Sequence, residues 1–174
     1  YQDRIRAAIV SSLEPARRRA HHLRLAAAMR SVGSQDAEAL AHHFEVAGDT
    51  NAARDYTIDA AKQAMRALAF DRAARLYRRA VDMTPARPAA RELAVRLGEA
   101  LAGAGRGAEA AVVYLGAMEG ARVADSIEFQ RRAAELLLEN GHVDDGLVTL
   151  KQVLGRLGMK LAETPLQALA SLIV

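Results

Sequence analysis

The sequence predicts an all-α chain, an array of about four antiparallel helix pairs stacked as an α-solenoid. Three observations predict it. Alanine supplies 39 of the 174 residues and leucine 21, while β-branched residues never alternate over a strand-length window. Alanine is the best helix former, with leucine and arginine close behind. Glycine and proline cut the chain at helix-length intervals, and one pattern of small and large residues recurs in phase.

The punctuation places the elements in order. A first helix is expected over 3–13. The second, 15–31, opens on Pro15, where a missing N–H costs nothing. Gly33-Ser34 separates it from 35–47, and Gly48-Asp49 separates that from 50–67. Helix 71–83 stops at Thr84-Pro85, with Pro88 opening 88–104. Gly105, Gly120 and Gly141 then divide 88–104, 107–120, 124–140 and 143–157, each glycine suited to the left-handed position that ends a helix. A tenth helix is expected near 164–174.

The helices repeat as pairs. Ala73, Tyr77, Ala80 and Pro85 are spaced by four, three and five. Ala110, Tyr114 and Ala117 repeat the first two spacings 37 residues later, and Gly146, Leu150 and Val153 do so after a further 36. Upstream of the second and third sets, Leu97, Gly98, Leu101, Gly105 and Ala133, Ala134, Leu137, Gly141 share identical spacings. A small residue lets two helices cross closely, and a large one a turn later fills the groove beside it. One pair cannot bury its apolar face alone, so its neighbours must cover it.

These residues resemble the tetratricopeptide repeat, whose first helix carries Leu-Gly and whose second carries Ala, an aromatic and Pro. Leu97-Gly98, Ala110 and Tyr114 match it, as do Ala73, Tyr77 and Pro85, with Phe70 at a frequent aromatic position. No unit has the tryptophan, the spacing exceeds 34 and only one unit ends in proline. The resemblance therefore implies a degenerate, irregular array. The 35–47 segment also carries Leu40-Ala41, Phe44 and Gly48 at first-helix spacing, which leaves its pairing phase open.

A broader resemblance covers nearly the whole chain. Tyr1-Gln2-Asp3-Arg4-Ile5-Arg6 resembles the end of the regulatory region that follows the nucleotide-binding module in bacterial multidomain signalling ATPases. Pro15 to His21, Ala41-His42-His43-Phe44-Glu45-Val46-Ala47-Gly48-Asp49 and Ala52-Ala53-Arg54-Asp55-Tyr56 resemble the first helices of the repeat arm in the same proteins. Gly141 to Gly146 and Thr164-Pro165 are similar to the arm of large serine/threonine protein kinases carrying an ATPase module. Maltose-regulator-like transcription activators share the layout. The resemblance implies a non-catalytic regulatory arm that binds a protein or peptide, or the parent's own ATPase or kinase domain. It also implies an alternative, a small-molecule-sensing arm of a transcription activator. Residues 1–34 would continue from an upstream domain, 35–158 would form the repeats, and 159–174 would begin a further helical region. The opening at Tyr1 and the stop at Ser171-Leu172-Ile173-Val174, inside an apolar helical pattern, fit a segment of a longer protein.

Composition sets the exclusions. With no cysteine, disulfides, thiolate zinc sites and thiol catalysis are ruled out. No apolar run reaches the ~18–20 residues of a membrane helix, and no leader pattern opens the chain, so a cytoplasmic setting is expected. The first 34 residues hold seven arginines against Asp3 and Glu14, so +5 of the net +3 lies there and the remainder is −2. The arginine run reads as a solvated helix face beside a neighbouring domain; nucleic acid is not the expected partner.

No cofactor, metal or catalytic residue is assigned. Gly103-Ala104-Gly105-Arg106-Gly107-Ala108 fits the dinucleotide fingerprint in letters, but that motif needs a strand before it. Here helical periodicity precedes it, and a helix corner is expected. His21-His22 and His42-His43 are adjacent pairs, pointing about 100° apart on a helix, so neither pair chelates a metal as an i, i+4 pair does. One member of each is expected at a helix contact and the other in water. Serines lack a base and carboxylates are scattered as solvating charges, so catalysis is not expected. The candidate partner-binding residues, placed on a concave face by the first helix of each pair, are Asp55, Lys62, Glu92, Glu99, Glu128, Arg131 and Glu135.

Overall fold

The structure, a computed structural model, describes residues 14–159. Among the described residues there are eight α-helices and no strand: α1 (Pro15–Ser31), α2 (Ala37–Ala47), α3 (Thr50–Arg66), α4 (Phe70–Asp82), α5 (Arg87–Gly103), α6 (Gly107–Ala117), α7 (Val123–Glu139) and α8 (Val143–Arg156). The helices expected over 3–13 and 164–174, and most of the 159–174 region, lie outside the described residues.

Local chemistry sets the boundaries. Pro15 opens α1. The side chain of Asp36 accepts the Ala39 N–H at 2.9 Å, and that of Asp49 accepts the Ala52 N–H at 3.0 Å. Each satisfies an orphan donor of a first turn. Asp36 thereby starts α2 at Ala37, two residues after its expected beginning. The largest difference is α6, which ends at Ala117 and not near 120. The chain tightens there through Met118 N–H to Leu115 O, and Gly120 takes φ 66°.

The chain divides into two compact units, one up to Leu93 and one from Ala94, with the division inside α5. In the first unit α1 packs on α2, α2 on α3 and α3 on α4. Its core joins Ala26, Leu40, Phe44 and Ala53, with Met29, Ala52, Tyr56 and Met83 packed against them. The Phe44 and Tyr56 rings stack in parallel, 5.4 Å between centroids. The buried faces of α3 and α4 are rich in small residues: Ala60, Ala61, Ala64, Ala73, Ala74 and Ala80 are all buried, beside Thr57, Leu76 and Tyr77. Two ion pairs, Glu38–Arg72 and Glu45–Arg79, tie α2 to α4, and both join positions 34 residues apart. Helices two apart in the chain therefore touch.

In the second unit α6 packs on α7 and α7 on α8. Leu97, Ala100, Leu101, Ala110, Ala111, Tyr114, Ala133, Ala134 and Val153 are buried. The small-residue notches carry the close approaches. A Cβ on Gly98 would lie 2.9 Å from two ring carbons of Tyr114, and one on Gly146 would lie 2.7 Å from Leu138 Cγ. Arg132 on α7 reaches back to Glu99 on α5 at 3.6 Å, again joining helices two apart. The Gly103–Ala108 sequence is a helix corner: Gly105 has φ 73° and the Arg106 N–H donates to Leu101 O at 2.9 Å.

Candidate functional site

The seven candidate partner-binding residues separate into two groups. In the first unit, Asp55 is exposed and held by Arg54 at 2.9 Å, and Lys62 pairs with Asp59 at 3.1 Å. Glu92 is exposed on α5. None of these three joins a larger constellation with the others. In the second unit, Glu99, Glu128, Arg131 and Glu135 do converge, and the residue that joins them is Arg132.

The network is built on α7. Arg131 Nε donates to Glu128 at 2.7 Å and Arg131 also pairs with Glu135, one turn further on. Arg132 Nε donates to Glu128 at 3.0 Å and its Nη1 to the Tyr114 hydroxyl at 3.2 Å. The Arg132 guanidinium also sits over the Tyr114 ring, 5.7 Å from its centroid. Glu99 receives both Arg96, at 3.0 Å, and Arg132. The Arg131 hydrogen bond, with help from Arg132, holds the Glu128 carboxyl down at about 2. Glu128 in turn raises Arg131, while the Tyr114 hydroxyl and Glu128 raise Arg132. Charges satisfied this fully brace α5, α6 and α7 against one another. Glu128, Arg131, Arg132 and Glu135 are more than a third exposed and Glu99 is 30% exposed, so each pair is worth little beyond ~1 kcal/mol.

Beside this network lies an open groove of about 670 Å³, lined by Met118, Glu119, Ser126, Gln130, Gln152, Gly155 and Arg156. Its floor is polar and buried: Ser126 and Gln130 are 7% and 5% exposed. Gln130 Nε2 donates to Gln152 Oε1 at 2.7 Å. Arg156 donates to Gln130 Oε1 at 3.0 Å and to Ser126 Oγ at 2.7 Å. The guanidinium is thus oriented by two neutral acceptors and lines the groove. A guanidinium fork fixed in this way matches a carboxylate in bidentate geometry.

Sequence reasoning missed Arg132, Arg156, Ser126 and Gln130. A signal was present for two of them. Ser126 and Gln130 stand i, i+4 on the same side of α7 as Ala133 and Ala134, and polar residues within an alanine stripe mark a buried polar floor. Arg156 reads in the sequence as an ordinary basic residue in a last turn.

The histidines meet as expected of neighbouring helices. His22 on α1 and His43 on α2 are partly buried with Nδ1 atoms 2.9 Å apart, while His21 and His42 are exposed. Arg17, Arg18, Arg19, Arg24 and Arg30 are all exposed along α1. No described helix is long and apolar enough to cross a membrane. Compared with family models, curated proteins and solved structures, the chain matches none.

Proposed function

We propose that this chain is a tetratricopeptide-like α-solenoid serving as the non-catalytic, protein-binding regulatory arm of a bacterial signalling protein, a serine/threonine kinase with an ATPase module. The repeat reading is supported by contacts between helices two apart, joined by ion pairs 34 residues apart in the first unit. Such stacking is how a helix pair covers its neighbour's apolar face. The interaction reading is carried by one observation: the open groove of α6, α7 and α8, with Arg156 fixed over a buried Ser126–Gln130 floor. The groove accepts an acidic side chain of a protein partner or of the parent's own ATPase or kinase domain. Binding there shifts that domain between states through its differential contacts.

The alternative, a small-molecule-sensing arm of a transcription activator, draws on the same groove, whose volume falls in the usual range for ligand sites. An inducer pocket encloses most of its ligand, and this groove is open, which favours a macromolecular partner.

The test is binding of the 174-residue chain to the parent's ATPase–kinase portion supplied in trans, by calorimetry. Arg156→Glu is expected to weaken it at least tenfold, the ~1.5–3 kcal/mol of a lost charged hydrogen bond. Arg30→Glu on exposed α1 should leave it within twofold. Equal affinities for wild type and Arg156→Glu, or no binding, would overturn the reading.

A further inference from the structure

The α1–α2 contact holds three imidazoles in an arrangement that responds to protons. His22 Nδ1 and His43 Nδ1 are 2.9 Å apart, which is a hydrogen bond between one ring that donates and one that accepts. Only one proton fits on that line. The His42 ring lies 5.7 Å from both other rings, edge-on to His22. Apart from these rings, α1 is thinly held. Among its described residues only Ala26 is fully buried, with Met29 packed beside it on the Leu40–Phe44–Ala53 cluster.

We propose that the His22–His43 pair is a one-proton latch: it fastens α1 to α2 while at least one ring is neutral and releases α1 when both are charged. The surrounding charges favour release once a second proton arrives. On the α1 side stand Arg18 and His21, the latter approached by Arg24; on α2 stand His42 and, opposing them, Asp36. Asp36 is engaged as the α2 cap. Helix α3, which also packs on α2, carries Arg54–Asp55 and Asp59–Lys62 as ion pairs of its own.

Burial is the leading cause holding both rings below the usual imidazole value, followed for His22 by His43 and His42 and for His43 by His42. The sign follows from linkage. A histidine with a lowered folded value binds protons more weakly than the unfolded chain does. Its neutral contact contributes fully above ~6.5 and is eroded as pH falls from there through the lowered folded values. No group of three or more side chains able to hold a metal ion occurs among the described residues. The latch lies in the first unit and draws nothing from the groove reading.

Amide hydrogen exchange of the 174-residue chain tests it, with rates corrected for the intrinsic pH dependence. Between pH 7.2 and 5.0 the α1 amides should lose protection about tenfold or more relative to α3. His22→Asn or His43→Asn should flatten that response below twofold, and His142→Asn should leave it intact. Unchanged α1 protection in the wild type, or the same loss in His43→Asn, overturns the latch. Should the variants fail to fold, imidazole nitrogen resonances of the wild type decide it. Coupled, stepwise protonation of His22 and His43 accompanied by α1 shifts supports the proposal. Independent titration of the two rings with α1 unmoved rejects it.

Discussion

At the scale of single residues, the small side chains do the positioning. Gly98 and Gly116 are both helical glycines, yet their surroundings are opposite. A Cβ on Gly98 meets the Tyr114 ring at 2.9 Å, whereas one on Gly116 meets nothing within 4 Å. Gly116→Ala should therefore stabilise the protein by about 0.5–1 kcal/mol, the helix-propensity difference. Gly98→Val should destabilise it by about 1–3 kcal/mol, the cost of overfilling a packed contact. Thermal unfolding of the two variants checks both signs; an equal response would remove the notch at α5–α6. The same crowding explains why Tyr114, buried and fixed by Gly98, can offer its hydroxyl to Arg132.

At the scale of elements, the connections among the described residues hold one departure from ordinary backbone preference. Leu68, between α3 and α4, has φ 56°, the left-handed conformation that costs a side-chain-bearing residue ~1–2 kcal/mol. The turn is closed by Leu68 N–H to Met65 O and Ala69 N–H to Ala64 O, at 3.0 and 2.9 Å, so the backbone there is set by the end of α3. Its side chain is 71% exposed and contributes little packing. Leu68→Gly should accordingly raise stability by about 0.5–1 kcal/mol, less than the full conformational penalty because glycine gains freedom in the unfolded chain. Denaturant unfolding with an unchanged m-value is the expected form of the result. Loss of stability would show that the leucine packs in solution.

At the scale of the whole molecule, the two units share a construction: neighbours in sequence pack, and helices two apart are bridged by charge. Glu45 and Arg79 provide a direct probe. A double-mutant cycle with Glu45→Gln and Arg79→Gln should return a coupling of about 0.2–1 kcal/mol, as expected of a half-exposed pair. Zero coupling would separate α2 from α4.

This architecture was largely legible because it is written in short-range terms. Pro15, Gly48, Asp49 and Gly105 mark helix ends through local hydrogen bonds and φ values, and the Ala110–Tyr114–Ala117 spacing locates a buried face. The candidate surface was legible only in part. Glu128, Arg131 and Glu135 lie on one helix, so periodicity groups them. Arg156 meets Ser126 and Gln130 across 30 and 26 residues, a register decided by packing and invisible to spacing within one helix. Asp55, Lys62 and Glu92 carry the same solvating pattern as the residues that converge, and nothing local separates the two groups.

The alanine-lined crossings have an asymmetric effect on what the chain can tolerate over time. Where two backbones already lie nearly as close as they can, truncation has almost nothing to remove, while every added methyl acts as a wedge. Drift at Ala60, Ala73, Ala110 or Ala133 has a single step down, to glycine, at about 0.5–1 kcal/mol of helix propensity, and many steps up, each adding atoms to a filled crossing. The fold is thus more sensitive to accretion than to erosion, the reverse of a core filled with leucine and phenylalanine.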